Sequence, residues 1–448
     1  MKGAFSRFAS SVQAETAFTV LSVARRLKSE GKDVIELEIG DSPFPTPLAA
    51  AEAGIRAIRE GRCNYGPSLG LPEFREAAAE YVSDEYGLDV GPENIVAGPG
   101  AKNFEQLFCE AYVDPDDGVL VFTPHFPTYP PNIHRRGARV VLSKLDPARG
   151  FRPILDDVRR FLDEDPSPAA IFLNSPNNPS GGVTPMEDLE AIAELVMERD
   201  GGGREAGPRE STARSDRRTG QGRGVALFSD EPYDRMVWQG HHHTMLEIPG
   251  MIDRTVAAYA FSKSFGMSGW RLGFAVSNRT TVEMLGKLTN TSISCVPPFT
   301  QVAGVAALRE GRKERDRNMA AFRRKVELLV GGLDEVDGIS CAMPGGSFYA
   351  FPSVAEVCNR LGITSHGLAM YLLEGADPDR GVACLGGECF GNAGAGFLRL
   401  SCAEPDDRLA RAVDFIAEAV DRSEAVSRFL AQRPEFRLKG EYRVDALG

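Results

Sequence analysis

The sequence predicts an α/β protein: a large domain around a mainly parallel, seven-stranded sheet, with a smaller α+β domain beside it. Three observations carry that expectation. Seven short apolar runs lie between Asn94 and Ser277, most of them separated by helical patterns. Several of these runs lack polar alternation, as strands buried on both faces do. Beyond them a long helical pattern, from about Arg312 to Glu335, leads into a region with two further strand-like runs. Strands alternating with helices imply right-handed crossovers and therefore parallel neighbours.

After an N-terminal arm, Val20 to Leu27 shows helical spacing and VIELEI (34–39) reads as a strand. GDSPFPTP then makes a Pro-rich turn that continues neither element. The seven runs follow: NIVAG (94–98), GVLVF (118–122), ARVVL (138–142), AAIFL (169–173), GVALFSD (224–230), TVAAYAF (255–261) and LGFAVS (272–277). The smaller domain is expected to use strands near Ser347–Phe351 and Phe397–Ser401, a helix from Pro405, and the N-terminal segment packed against them. The expected division is 46–310 for the large domain, and 1–45 with 311–448 for the small one. Residues 200–224, DGGGREAGPRESTARSDRRTGQGRG, are almost without apolar side chains and are expected to form a mobile surface insertion.

Composition narrows the function. The 448 residues carry 51 basic against 63 acidic side chains, a net charge of −12, which argues against nucleic-acid and anionic-membrane partners. No apolar run approaches the ~20 residues needed to span a bilayer. The N-terminus, MKGAFSRFASSVQAETAF, has no apolar core followed by a cleavage site, so no signal peptide is read. Eight scattered cysteines without CxxC spacing are expected to be reduced thiols in a cytoplasmic protein. Three adjacent imidazoles at His241–His243 do not converge on one ion, so no metal is expected.

The segment AFSKSFGMSGWRLGF (260–274) places Lys263 eight positions before Arg271. A lysine in a pocket can form a Schiff base with an aldehyde, and a nearby arginine can neutralise a phosphate. Pyridoxal 5′-phosphate presents both groups on one small ring, although a lone Lys–Arg pair is more often two solvated charges.

Four other segments fit that chemistry. GPGAKNFEQLF (98–108) follows a strand and opens a helix, so backbone N–H groups near Gly100, Ala101 and Lys102 would face an anion; alone it is better read as a simple turn. LFSDEPYD ends a strand with Asp230, which could keep a pyridine nitrogen protonated, and Tyr233 could donate to a ring oxygen; a cap is the plain alternative for Asp230. NSPNNPSG (174–181) offers Asn178 as a second donor to that oxygen, or else only an Asn-Pro turn. FLRLSCAEP puts Arg399 in an apolar strand, where an unpaired charge is very costly. Its planar fork suits a substrate carboxylate, with an internal Asp or Glu as the competing partner.

In order, NYGPSLGLPEFR, GPGAK, TPHFPTYP, NSPNNPSG, SDEPY, SKSFGMSGWRLG and RLSCAEP make the chain resemble the class I/II aminotransferases of pyridoxal-phosphate fold type I, from about Glu36 to Glu404. The resemblance implies an enzyme that moves an amino group between an L-amino acid and a 2-oxo acid by ping-pong kinetics. Lys263 would be the Schiff-base lysine and proton shuttle, Asp230 the partner of the pyridinium, and Tyr233 and Asn178 the partners of the phenolate oxygen. Phe126 would stack on the ring, or else serve as a core aromatic. Gly100, Ala101, Lys102 and Arg271 would cradle the phosphate, while Arg399 and the Gly40 backbone would bind the substrate carboxylate. Tyr65 would reach the phosphate of a neighbouring subunit, implying a homodimer with shared sites.

Some positions depart from the family pattern. Ala260 stands where many relatives carry a hydroxyl, and Phe126 where larger aromatics are common. Lys102 matches a residue that reads a distal carboxylate in aspartate-using members, but the accompanying hydroxyls are not matched at Glu15, Thr16, Ala17. The same scaffold also supports β-elimination lyases and cyclising synthases, which differ in where the carbanion goes.

Overall fold

The computed structural model describes residues 5–12, 15–201 and 224–443; most of the expected insertion at 200–224 lies outside the described residues. An arm helix, Thr16–Ser29, leads into strand β1 (Asp33–Glu36). Seven strands then build the central sheet: β2 (Ile95–Gly98), β3 (Gly118–Thr123), β4 (Arg139–Lys144), β5 (Pro168–Asn174), β6 (Ala226–Asp230), β7 (Thr255–Ala260) and β8 (Gly273–Val276). Each falls on one of the seven apolar runs. Their order is β2-β8-β7-β6-β5-β3-β4.

Six of them point the same way, and β8 alone runs opposite, antiparallel to both β7 and β2. The reason is local. The link between β7 and β8 holds SKSFGMSGWR and forms only a short 3-10 turn at Ser268–Trp270. A parallel return needs a crossover, usually carrying a helix, and the link 261–272 has no α-helix. The chain therefore doubles back, and Lys263 and Arg271 sit on opposite arms of one tight excursion.

Period-2 side chains divide the sheet between two layers. Val119 and Val121 join Phe104 and Phe108 on one face, while Leu120 and Phe122 join Phe161 and Leu189 on the other. A separate apolar cluster draws Val20, Ala24, Val34 and Leu37 of the arm together with Phe322, Leu329, Phe348 and Leu409. Its long helix, Arg312–Asp334, lies where the periodicity placed it.

Four more strands follow in this region: β9 (Tyr349–Ala350), β10 (Arg380–Ala383), β11 (Leu385–Gly386) and β12 (Leu398–Ser401). They form an antiparallel sheet β11-β12-β9, while β10 pairs parallel with β1 of the arm. All eight cysteines are free. Among the described residues no helix is long and apolar enough to cross a membrane. His241–His243 lie in a loop, where His242 is buried against Glu231 at 3.0 Å. No group of three or more His, Cys, Asp or Glu side chains among the described residues could hold a metal.

Candidate active site

Three parallel strands end side by side at Asn174, Asp230 and Ala260, where open α/β sheets bind ligands. Asn174 shapes this rim: its Nδ2 donates to the Asp230 carbonyl at 2.9 Å, and its Oδ1 accepts from the Asn178 N–H at 2.8 Å. A cavity of about 330 Å³ opens there. Every residue singled out from the sequence lines it except Tyr65, which is 90% exposed elsewhere on the surface.

Lys263 follows the end of β7, and its Nζ donates to the Gly40 carbonyl at 2.5 Å. Gly40 is held there by space. A Cβ on it would lie 1.8 Å from the Tyr349 hydroxyl, so no side chain fits. Tyr349 in turn shares a 3.1 Å hydrogen bond with Tyr233, hydroxyl to hydroxyl. Burial, then Tyr349, hold the Tyr233 phenol well above its usual range.

Asp230 is buried, and its Oδ2 accepts from the Tyr129 hydroxyl at 2.6 Å. Burial pushes its carboxyl up to about 7, with Tyr129 pulling the other way. Glu105 also lines the cavity, accepting from Thr128 Oγ1 at 2.5 Å and Asn132 Nδ2 at 3.1 Å. Burial, and next the Asp230 charge, raise its carboxyl well above the ordinary range.

Arg271 takes a left-handed conformation at φ 51°. Its two terminal nitrogens donate to the carbonyls of Ser268 and Pro99, each at 2.9 Å. This clamps the guanidinium to the Gly-rich turn before the helix Lys102–Tyr112. A Cβ on Gly100 would come within 2.9 Å of Arg271 Nη2, so the close approach of turn and cation depends on glycine. The first-turn N–H groups of that helix have no intrahelical acceptors, and an anion can take them. Lys102 Nζ pairs with Glu15 at 2.5 Å and lies 5.0 Å from the centroid of the Phe126 ring.

Arg399 enters from β12, 4% exposed. It donates to Asn178 Oδ1 at 3.0 Å and to the Glu38 carbonyl at 2.5 Å. The aromatic rings of Tyr349 and Phe390 hold its Cζ at 4.4 and 4.9 Å from their centroids. Its Nε has no partner, and among the described residues no carboxylate comes within ion-pair distance. The internal-partner alternative for this arginine is therefore met by neutral oxygens rather than by an acid. Glu38 is fully buried and neither carboxyl oxygen finds a hydrogen bond. Burial pushes it up to about 7, against a smaller pull from Arg399.

Glu38, Glu105 and Tyr129 were not singled out by the sequence reading. Glu105 carried a signal: it is a charge beside the Phe104–Phe108 apolar stripe of its helix. Glu38 carried a misleading one, because alternation from Ile35 and Leu37 points it to solvent. The regular strand ends at Glu36, and beyond it the period-2 rule no longer applies.

Comparison with known proteins agrees with this geometry. The family model "Aminotransferase class I and II" matches residues 32–201 and 219–416. A probable aspartate/prephenate aminotransferase of Aquifex aeolicus is 33% identical, over 94% of this chain and 99% of its own length. An aspartate aminotransferase of Pyrococcus abyssi is 31% identical, over 89% of this chain and 92% of its own. The solved aspartate aminotransferase of Thermus thermophilus with maleate superposes with a TM-score of 0.81 at 30% identity, covering 94% of this chain and 100% of that one. With its sheet order, its cavity and these matches taken together, the chain belongs to the class I and II aminotransferase family.

Proposed function

We propose that the chain is a pyridoxal 5′-phosphate-dependent aminotransferase that moves an amino group between an L-amino acid and a 2-oxo acid in two half-reactions. The observation that carries this reading is the convergence of Asp230, the Lys263–Arg271 excursion and Arg399 on one cavity from three separate parts of the chain. The donor set fits the cofactor. A buried carboxylate near neutrality suits a ring nitrogen that must hold a proton, and the Gly100 turn against Arg271 leaves side-chain-free room for a phosphate. When bound, pyridoxal 5′-phosphate supplies an aldehyde for an amine to engage and a ring that accepts the electron pair left at the substrate α-carbon.

Each side chain then has a task. Arg399, with the Gly40 backbone, grips the substrate α-carboxylate and fixes the α-carbon near Lys263. Lys263 Nζ removes the α-proton as general base and returns a proton in the second part of the half-reaction. The Gly40 carbonyl, already 2.5 Å away, orients that amine. Asp230 holds a proton at the ring nitrogen, kept in place by Tyr129. Tyr233 and Asn178 donate to the ring oxygen, and Phe126 packs on the ring face. Arg271 with the Gly100, Ala101 and Lys102 backbone neutralises the phosphate.

The exposed Tyr65 suits a contact with a second copy, so the working unit is a homodimer with shared sites. The two domains divide at 46–310, and at 1–45 with 311–448. Substrates are small amino and oxo acids, without nucleic-acid or membrane partners, in the cytoplasm. The relatives' names put aspartate in the donor panel, beside amino acids with neutral side chains.

Supplying the purified protein with the cofactor, a panel of amino donors, and pyruvate or 2-oxoglutarate tests the proposal. A matching pair of oxo acid and new amino acid is expected, and Lys263→Ala should lose both the visible cofactor absorbance and turnover. Ammonia released without that pair would instead indicate an elimination reaction on the same scaffold.

A further inference from the structure

We propose that Glu15 is a specificity-determining residue: its ion pair with Lys102 selects substrates with uncharged side chains over those with acidic ones. The inference rests on the aminotransferase reading of the same cavity and deepens it.

Glu15 stands at the N-cap of the arm helix Thr16–Ser29, yet its side chain caps nothing. Instead it crosses to Lys102, 87 positions along the chain, at 2.5 Å. Both residues line the cavity, next to Ala17, Phe18 and Phe126. Lys102 keeps 44% of its side chain exposed and Glu15 keeps 21%, so the pair lies at the mouth, not in the core. Arg399 occupies another wall of the same cavity, with Asn178 and the Glu38 carbonyl as its partners. A substrate anchored there by its α-carboxylate meets, on the arm side, a cation already matched by an anion.

The electrostatics then decide between side chains. A second carboxylate reaches Lys102 only by displacing Glu15, or by sharing one ammonium with it while two like charges sit a few ångströms apart. A neutral side chain leaves the pair intact and covers the apolar surface of Ala17 and Phe18 on the arm. The arm therefore does more than cover the site. It brings the anion that cancels a basic residue otherwise suited to acidic substrates.

Isothermal titration calorimetry on the cofactor-loaded dimer tests this with succinate as the dicarboxylate probe and 4-methylpentanoate as the monocarboxylate. The wild type should bind the monocarboxylate more tightly. Glu15→Gln should raise the dicarboxylate-to-monocarboxylate affinity ratio about tenfold or more. The ratio of kcat/KM for aspartate to that for leucine should rise with it. Adding Lys102→Gln should cancel the gain, because the freed ammonium is what attracts the second carboxylate. Glu15→Ser, smaller and equally neutral, must move the ratio the same way, which guards against a folding defect in one variant. A wild type that prefers succinate, or a ratio unmoved by either Glu15 variant, overturns the proposal. Binding requires no turnover, so a protein that transaminates nothing contradicts the aminotransferase reading while the affinity ratio still judges Glu15.

Discussion

Across 221 positions of sequence, the Arg399 guanidinium donates to the side-chain carbonyl of Asn178 at 3.0 Å. The bond ties β12 to the loop after β5, so the residue proposed to anchor the α-carboxylate and the one proposed to donate to the ring oxygen orient one another. With Oδ1 accepting from Arg399, the Asn178 amide keeps its Nδ2 as the donor.

Replacing Arg399 with lysine keeps the charge but loses the planar fork. A charge-assisted hydrogen bond contributes about 1.5–3 kcal/mol, so kcat/KM should fall roughly 10- to 100-fold, mostly through KM. Steady-state kinetics with one donor measures it. A loss confined to kcat would contradict the anchoring role.

Tyr129 holds the Asp230 carboxyl down against burial. Tyr129→Phe removes that bond, so Asp230 should take up its proton at higher pH than in the wild type. The acid limb of the pH–kcat/KM profile should move upward by about half a unit to one unit, the worth of one such bond. An unmoved acid limb would count against Asp230 as the group that must be ionised.

Glu38 has its folded-state value raised to about 7 from an ordinary 4.5. The folded chain keeps a proton that the unfolded chain releases, so this contribution is fully present below 4.5 and is lost as pH rises through 7. The slope is at most about 1.4 kcal/mol per pH unit in that window. Glu38→Gln has no such proton. Thermal melts from pH 4.5 to 8 should show the wild type losing stability relative to the variant until about pH 7 and running parallel above it.

Gly40→Ala would drive a methyl group into the Tyr349 hydroxyl. Overpacking of this kind costs about 1–3 kcal/mol and displaces the carbonyl that holds Lys263. The Tm should drop, and kcat should fall more than a destabilised but intact site explains. Adding Tyr349→Phe should recover part of both, because it removes the atom nearest the new methyl.

Local chemistry determined much of this protein in advance. Seven apolar runs became seven strands, six of them buried on both faces and so legible from an unbroken apolar run, while β4 lies at the sheet edge and stays partly exposed. Pro-rich and Gly-rich breaks marked the turns after β1 and β2 for equally local reasons. Asp230 and Arg399 stood out because each is a charged group at the end of or within an apolar strand, Lys263 because of its spacing to Arg271, and Asn178 because its motif follows a strand end.

Packing decided the rest. That β8 runs antiparallel follows from the lack of a crossover helix in one excursion, and that Asn178 meets Arg399 follows from how two sheets face each other. Glu38 reads as a solvated side chain in its own strand and becomes a buried, unpartnered acid only because the chain bends after Glu36 beneath β12. The Glu15–Lys102 pair likewise depends on where the arm helix comes to rest. Burial and long-range proximity are properties of the assembled chain, and no window of neighbouring residues contains them.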